Sequence, residues 1–281
     1  MDKNKLKNFD LSAFTQVPTG KIPPAEEFNA FKKNIAPLIN LDLTNYKNTQ
    51  MERRIVSLMN RCGMDNLNDY FNVLKTDSKK LEEFLNMLTI NVTEFFRNPE
   101  KFQELETLYL PELLKNSRKL KVWSAGCSIG AEIYSLSMMF DKMKILNDCE
   151  LIASDFDKTI LEKAKNGIYS EMEVGSIGAD YKKYFTSVGN DKQQVESRLR
   201  QKVKFEKRDL LNSKFEKDFD LILCRNVVIY FTDEAKDKLY KEFYDALKPG
   251  GVLFIGSTER INNHRAIGFN MKTPFFYQKE V

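Results

Sequence analysis

The sequence is poor in the side chains on which metal-dependent and triad-type enzymes rely. It contains one histidine, His264, so a zinc site or a Ser-His-Asp triad would depend on that single residue. The four cysteines form no Cys-x-x-Cys pair and have no metal-ligand spacing. We therefore expect no metal ion, and we interpret the cysteines as mostly buried thiols in a reducing cytoplasm. They are Cys62, Cys127, Cys149 and Cys224.

Long hydrophobic runs are also missing from the sequence. The runs at 221–224 and 227–231 fall far below the roughly 20 apolar residues of a membrane-spanning helix. Residues 1–10 carry charges but no apolar core, so we expect no secretory signal. The net charge of +4 is too small to indicate a nucleic-acid partner. We expect a soluble, cytoplasmic protein with no direct membrane insertion.

The chain divides into three parts by composition and periodicity. Residues 1–20 are polar, and we expect a flexible extension there. Residues 21–88 carry apolar side chains at helical spacing, which predicts a small all-helical domain. Residues 89–281 alternate apolar strand-like runs with helical patterns, which predicts one larger α/β domain.

Four basic residues lie within one helical segment of the predicted N-terminal domain. Their side chains could form a solvated helix face, dock an acidic partner, or bind phosphate. Phosphate binding is the weakest alternative, because no aromatic residues are interleaved with the basic ones. The four residues are Lys47, Arg53, Arg54 and Arg61.

Residues 121–139 have the pattern of a strand, a glycine-bearing loop and a helix. Gly126 and Gly130 allow the backbone to turn sharply and to approach a ligand closely. After Gly130, apolar residues recur at the spacing of one helix face. The start of that helix offers unpaired N–H groups, as in the first βα turn of a nucleotide-type site. Many ordinary βα turns also carry two glycines.

A second strand at 150–154 is followed directly by Asp155, and Asp157 comes two residues later. An acid at the end of the second strand is where a ribose hydroxyl pair is bound in doubly wound folds, and Asp155 is the better candidate. Further strands are predicted at 203–206, 219–224 and 252–256, with a last antiparallel strand at 275–277. Residues of about 170–202 predict a small antiparallel insertion, with strand-like alternation at 184–188 and 193–199. Before the first strand, Phe102, Leu105, Leu108 and Leu110 predict an amphipathic helix.

These elements predict an α/β fold with a doubly wound, mostly parallel sheet. The loop reads G-x-x-x-G rather than G-x-G-x-x-G, and no P-loop lysine follows it, which disfavours NAD and nucleoside triphosphates. A helix is predicted at 235–247, and KPGG at 248–251 is the stop signal that separates it from the fifth strand. Taken together, the elements resemble the class I methyltransferases, which have a Rossmann-like fold and use S-adenosylmethionine.

Three stretches narrow this resemblance: 91–97 (NVTEFFR), 132–135 (EIYS) and 224–231 (CRNVVIYF). With the helical N-terminal domain, they resemble the CheR-type chemoreceptor glutamate O-methyltransferases over about residues 25–281. The shorter, Gram-positive-like members fit best. The resemblance implies that S-adenosylmethionine is converted to S-adenosylhomocysteine while glutamate side chains of chemoreceptors are methyl-esterified in chemotaxis adaptation.

The resemblance also implies roles for particular residues. Glu132 would hold the methionine ammonium and Asp155 the ribose, while Arg97 and Tyr230 would be catalytic, beside the acceptor. Arg53 and Arg54 would dock the cytoplasmic helices of the receptor. The implied cofactor-binding residues are Asn91, Thr93, Arg97, Gly126, Glu132, Asp155, Asp209, Leu210, Arg225 and Asn226.

The chain departs from the family's usual motifs at four positions. Ile129, Ala131 and Ile133 replace a threonine, an acid and a proline, and Asp209 replaces an asparagine near the adenine. One alternative is therefore a degenerate module that binds S-adenosylmethionine as a sensor or receptor scaffold. A nucleic-acid base methyltransferase is disfavoured, because residues 225–228 read RNVV rather than the D/N-P-P-Y/F of amine methylators. We expect a monomer.

Overall fold

A computed structural model describes residues 23–88, 93–116, 119–175 and 177–280. The contacts divide the chain into two compact units, residues 1–90 and 91–281. The expected extension at 1–20 lies outside the described residues. Within the described ranges, no helix combines the length and apolar character needed to cross a bilayer.

The first unit is helical in its described part. Phe31, Tyr70 and Phe84 meet in its core with ring centroids about 6 Å apart, each ring edge-on or stacked against the others. Apolar residues at helical spacing supply this core, as the sequence predicts. Its helices are α1 (Ala25–Ile39), α2 (Asn48–Arg61), α3 (Leu67–Thr76) and α4 (Ser78–Leu88), with a 3-10 turn at Leu43–Asn45.

The second unit is built on a seven-stranded sheet and a separate three-stranded antiparallel sheet. This confirms the predicted doubly wound, mostly parallel α/β fold with a small antiparallel insertion. Its strands are β1 (Lys121–Ala125), β2 (Glu150–Asp155), β3 (Ile168–Ser170), β4 (Phe185–Gly189), β5 (Lys192–Val195), β6 (Val203–Lys207), β7 (Phe219–Cys224), β8 (Leu247–Ile255), β9 (Phe269–Thr273) and β10 (Phe276–Lys279).

The helices of this unit connect the strands, with 3-10 turns at Leu146–Asp148 and Val228–Tyr230. In chain order they are α5 (Pro99–Glu104), α6 (Leu110–Asn116), α7 (Ala131–Lys142), α8 (Lys158–Asn166), α9 (Glu171–Val174), α10 (Ala179–Lys182), α11 (Ser197–Lys202), α12 (Asp233–Ala246) and α13 (His264–Ile267).

The strand order of the large sheet is β6-β2-β1-β7-β8-β10-β9. Strands β6, β2, β1, β7 and β8 pair in parallel, and β10 and β9 continue the sheet in antiparallel register. Because the chain leaves β1 toward β2 on one side and reaches β7 on the other, the order reverses between β1 and β7. In open α/β sheets, ligands bind outside the carboxyl ends of the strands at such a switch point.

Helix α7 is more deeply buried than its sequence pattern predicts. The pattern predicts one apolar face, but every residue from 131 to 140 is buried. The two serines among them form hydrogen bonds within the helix. Ser135 Oγ donates to the carbonyl of Ala131 at 2.7 Å, and Ser137 Oγ donates to the carbonyl of Ile133 at 2.9 Å. Residues 131–140 of α7, the helix that follows the glycine loop, are therefore surrounded by protein on every face.

Three local expectations differ from the structure. The helix after Pro99 contains a π-helical turn at Leu105–Tyr109, whose extra residue turns Leu108 out to 54% exposure. The expected alternation at 193–199 ends at Val195, after which α11 buries Leu199.

The third difference concerns the fifth predicted strand, which begins before residue 252. Helix α12 ends at Ala246, directly before KPGG as the stop signal predicts, but Leu247 already pairs with Phe219 in β7. Residues 248–251 form a bulge within β8 before pairing resumes at Val252. A Cβ on Gly251 would lie 3.0 Å from the Phe219 carbonyl oxygen, so a glycine is needed there.

Candidate functional site at the carboxyl edge of the sheet

The glycine loop after β1 is held against the end of β2. The N–H groups of Gly126 and Cys127 both donate to the carbonyl of Ser154, at 2.8 and 2.9 Å. Gly126 has φ +79°, and a Cβ there would lie 2.5 Å from Val227 Cγ2. The glycine thus allows the loop after β1 and the turn after β7 to meet at the switch point.

Asp155 is placed against this loop. It ends β2, is 9% exposed, and accepts hydrogen bonds from the N–H groups of Ser128 at 2.8 Å and Asp157 at 3.1 Å. Burial raises the pKa of Asp155, and the backbone donors oppose that rise. Asp157 instead caps α8, accepting from the N–H groups of Thr159 and Ile160. The preference for Asp155 as the ligand-facing acid agrees with this geometry.

Glu132, in the first turn of α7, is a buried carboxylate with two partners. Ser124 Oγ donates to its Oε1 at 2.7 Å, and Arg225 Nη1 lies 3.5 Å from its Oε2. Burial raises the pKa of Glu132, while the charge of Arg225, the Ser124 hydroxyl and the charge of Arg97 act in the opposite direction. Ser124 could not be predicted as a site residue, because a serine inside a strand belongs to no recognisable sequence motif.

Arg225 connects this acid to the 93–98 segment. It follows β7 and is 8% exposed, and its Nη2 donates to the carbonyl of Arg97 at 2.7 Å and to Asn98 Oδ1 at 2.9 Å. Burial lowers the pKa of Arg225 and Glu132 raises it. The guanidinium thus joins the end of β7, the start of α7 and the 93–98 segment.

The 93–98 segment is fixed at a second point. The N–H of Phe96 donates to Ser135 Oγ at 2.9 Å, one turn into α7. Phe95 is buried against Tyr169 and Phe185, with ring centroids 4.8 and 5.3 Å away. These contacts place Thr93 and Arg97, both half-buried, on a segment that lies over the start of α7.

The turn after β7 carries Asn226 and Tyr230, both half-buried. Asn226 adopts φ +59°, and Tyr230 ends the 3-10 turn at Val228–Tyr230. Glu259, which the sequence analysis missed, accepts from the N–H of Asn226 at 3.0 Å and from that of Gly256 at 2.6 Å. Its sequence position, 33 residues from Asn226, gives no local signal of this contact.

Asp209 and Leu210 follow β6 at the same edge of the sheet. The Asp209 carboxylate accepts from the N–H of Leu211 at 2.9 Å and from Asn212 Nδ2 at 2.7 Å, so it shapes its own turn. Leu210 is 7% exposed. Among the described residues, no hydrogen bond or ion pair joins Asp209 or Leu210 to Glu132 or Asp155.

One predicted residue, Asn91, lies outside the described residues. Arg53 and Arg54 belong to α2 in the first unit, where Arg53 is exposed and Arg54 half-buried.

The site's groups fit the parts of S-adenosylmethionine. Glu132 offers a carboxylate for an ammonium, and Asp155 offers one for ribose hydroxyls. Three buried polar atoms of this arrangement, Arg225 Nε, Asn226 Oδ1 and Glu259 Oε1, have no hydrogen-bond partner among the described residues. Such atoms are costly to bury unless a ligand meets them. Glu132, Asp155, Arg225 and Asn226 would hold the cofactor.

Comparison with known proteins agrees with this geometry. Residues 91–276 match the family "CheR methyltransferase, SAM binding domain", and residues 26–89 match "CheR methyltransferase, all-alpha domain". A chemotaxis protein methyltransferase from Listeria innocua is 39% identical over 92% of this chain and 99% of its own length. One from Borreliella burgdorferi is 32% identical over 90% of this chain and 94% of its own.

Solved structures align over less of the chain. PKMT2 from Rickettsia typhi in complex with AdoHcy aligns over 49% of this chain and 21% of its own, with 19% identity and a TM-score of 0.31. That likeness is too limited to bear on function.

The family matches together span most of the described chain, and the relatives are matched over nearly their whole length. They confirm the predicted family, the predicted enzyme class and the predicted cofactor. The chain belongs to the CheR methyltransferase family and is an S-adenosylmethionine-dependent methyltransferase.

Proposed function

We propose that this enzyme methyl-esterifies glutamate side chains in the cytoplasmic helices of chemotaxis receptors. The observation that carries the proposal is the arrangement around Arg225, which lies 3.5 Å from Glu132 and bonds the Arg97 carbonyl at 2.7 Å. It joins the guanidinium of Arg225 and the backbone of Arg97 to the acid proposed to hold the cofactor's ammonium, and the charge of Arg97 also acts on that acid. The names of the relatives, chemotaxis protein methyltransferases, support the choice of substrate class.

A carboxylate acceptor suits the residues of this site. A glutamate side chain has a pKa of about 4.3 and is already ionised at neutral pH, so no general base is needed. The chain's one histidine, His264, lies on α13, where its Nδ1 is 3.0 Å from the carbonyl oxygen of Ile261. When bound, S-adenosylmethionine supplies a methyl group on a positively charged sulfur, and the products are the methyl ester and S-adenosylhomocysteine.

The task of the protein is then to position an anion and to exclude water. Arg97 is proposed to fix the acceptor carboxylate, since a guanidinium binds a carboxylate through two parallel hydrogen bonds. Its charge already acts on Glu132 and Arg225. Tyr230 is proposed to orient the acceptor from the turn after β7. Holding two reacting groups in place can supply about 7–11 kcal/mol in ideal cases.

The helical first unit is proposed to dock the receptor. Arg53 and Arg54 on α2 would face the acidic residues of receptor helices. With this partner the enzyme would act in the cytoplasm as a monomer, with residues 21–88 as docking domain and 89–281 as catalytic domain. The 1–20 extension has no role in the proposal.

The decisive assay is transfer of labelled methyl from S-adenosylmethionine to a purified chemoreceptor cytoplasmic fragment. The proposal expects label that base releases as methanol, because carboxyl methyl esters hydrolyse in base whereas N-methyl groups do not. A fragment with its acceptor glutamates changed to alanine is the control and should take up no label. Tight cofactor binding without transfer to any receptor fragment would contradict the proposal and favour a sensor or scaffold.

The departures in α7 give that alternative little support. Ala131 and Ile133 are 1% and 0% exposed and belong to the hydrophobic core. They fill space in an enclosed helix, while Glu132 between them keeps its contacts with Ser124 and Arg225.

A further inference from the structure

A buried carboxylate ties together the ends of two central strands. Glu259 is 5% exposed, and its Oε2 accepts from the N–H of Gly256, just after β8, at 2.6 Å. The same oxygen accepts from the N–H of Asn226, just after β7, at 3.0 Å. Neither N–H could be satisfied by sheet pairing at these positions, because both strands have ended.

The turn that Glu259 holds has a left-handed backbone. Asn226 has φ +59°, a conformation that asparagine adopts more readily than most residues with a Cβ but less readily than glycine. Contacts from the surroundings therefore help to hold it there. Gly256 leaves the space for this: a Cβ there would lie 2.8 Å from the Asn226 nitrogen and 2.7 Å from Glu259 Oε2.

The direction of this turn decides where the neighbouring side chains lie. Arg225, before Asn226, reaches Glu132 and the carbonyl of Arg97. Val227, after it, packs where a Cβ on Gly126 would be. A change of the Asn226 backbone to an extended conformation would move the groups on both sides of it.

We propose that Glu259 is a positioning residue for methyl transfer, whose carboxylate holds Asn226 in the left-handed conformation that the site requires. Glu259 touches neither cofactor nor acceptor in this proposal and acts through Asn226. The proposal rests on the proposed function, since the site it serves is the methyl-transfer site.

The test is a double-mutant cycle between Glu259→Gln and Asn226→Gly. Glutamine keeps the size of the side chain but loses the charge-assisted hydrogen bonds, so E259Q should lower kcat/KM and cofactor affinity about tenfold. Glycine adopts positive φ freely, so in N226G the backbone no longer needs Glu259 to hold it in the left-handed conformation. The substitution also removes the side-chain amide of Asn226. In the N226G background, E259Q should therefore cost no more than about twofold.

The matched control is Asp220→Asn. Asp220 is 7% exposed, lies near the other end of β7, and accepts from the N–H of Lys121 at 2.7 Å and from Lys248 Nζ at 2.8 Å. It is also a buried carboxylate that joins strands. D220N should lower stability without lowering kcat per folded molecule, and any effect it has should be the same with and without N226G.

Each outcome decides the proposal. Equal loss from E259Q in both backgrounds would show a purely structural role and overturn it. If E259Q does not fold, Glu259→Asp, whose shorter side chain cannot bring a carboxylate oxygen to the N–H groups of Asn226 and Gly256, replaces it in the cycle. Cofactor affinity by calorimetry is measured beside receptor methylation. Failure of the wild type to methylate receptors would therefore overturn the proposed function while leaving the calorimetric cycle readable.

Discussion

Glu132 is a carboxylate under opposing influences at the start of α7. Burial raises its pKa, and the guanidinium of Arg225 and the hydroxyl of Ser124 act in the opposite direction without cancelling the rise. Because the folded-state pKa lies above the unfolded value, the protonated form favours folding. Its contribution to stability is present below the unfolded pKa and is lost as the pH rises through the folded pKa. A cation bound beside the ionised carboxylate of Glu132 would offset that loss of stability.

We predict that cofactor affinity rises with pH through the folded pKa of Glu132, since the ammonium needs the ionised carboxylate. Calorimetric titration of S-adenosylmethionine from about pH 5 to about pH 8 measures this. Glu132→Gln should weaken binding about tenfold to a hundredfold and flatten the pH dependence. Glu112→Gln, which removes an exposed ion pair with Lys272, is the control. An unchanged slope in E132Q would assign the pH dependence to another group.

The residues predicted from the sequence lie in or beside short motifs. Asp155 directly follows the second predicted strand, and Glu132 belongs to the EIYS stretch that carries the family resemblance. Ser135 and Glu259 make their contacts with residues 39 and 33 positions away. Their role depends on packing between distant segments, which no local spacing encodes.

At the scale of elements, the 93–98 segment depends on α7 for its position. We predict that Ser135→Ala, which leaves the N–H of Phe96 without its acceptor at 2.9 Å, lowers stability by about 1 kcal/mol. It should also speed exchange of the Phe96 amide hydrogen. Ser137→Ala is the matched control, since Ser137 is equally buried on the same helix and donates only to the carbonyl of Ile133. Equal exchange rates in both variants would refute the contact.

The glycine loop allows a similar comparison. Gly126→Ala should cost about 1–3 kcal/mol more than Gly189→Ala and should weaken cofactor binding. Both glycines have positive φ, +79° and +85°, but only the Cβ at Gly126 meets a neighbour, Val227 Cγ2. Urea denaturation and calorimetry measure the two effects. Adding Val227→Ala to G126A should restore part of the stability; no restoration would place the cost in the backbone alone.

Element order could be predicted where an apolar run marks a buried strand, as at 219–224, or where a glycine loop follows a strand, as at 121–139. The short helix from Ser197 could not be predicted, because residues 193–199 alternate like a strand, whereas in the structure Leu199 packs into the second unit's core from a helix. KPGG at 248–251 was predicted as a helix stop, and α12 does end before it, but the bulge that these residues form within β8 was not predicted. Such choices depend on partners that are distant in the chain.

For the whole molecule, the prediction concerns charge on the first unit. Changing Arg53 and Arg54 to Glu should raise the KM for the receptor about tenfold or more while leaving cofactor affinity unchanged, and added salt should reduce the difference. Lys75 and Lys79, exposed on the same unit, changed to Glu give a control with an equal change in charge. Equal losses in the two variants would mean that net charge, not a docking surface, matters.

Helix α7 has a consequence for the protein's synthesis. Residues 131–140 have no face suited to water, and their partners come later in the chain: Tyr134 donates to the carbonyl of Ala164 at 2.7 Å and packs near Phe205. On the ribosome, this segment emerges long before those partners exist. Until roughly 70 further residues have been added, the nascent chain exposes this aggregation-prone segment. A chaperone would therefore be needed most during that interval.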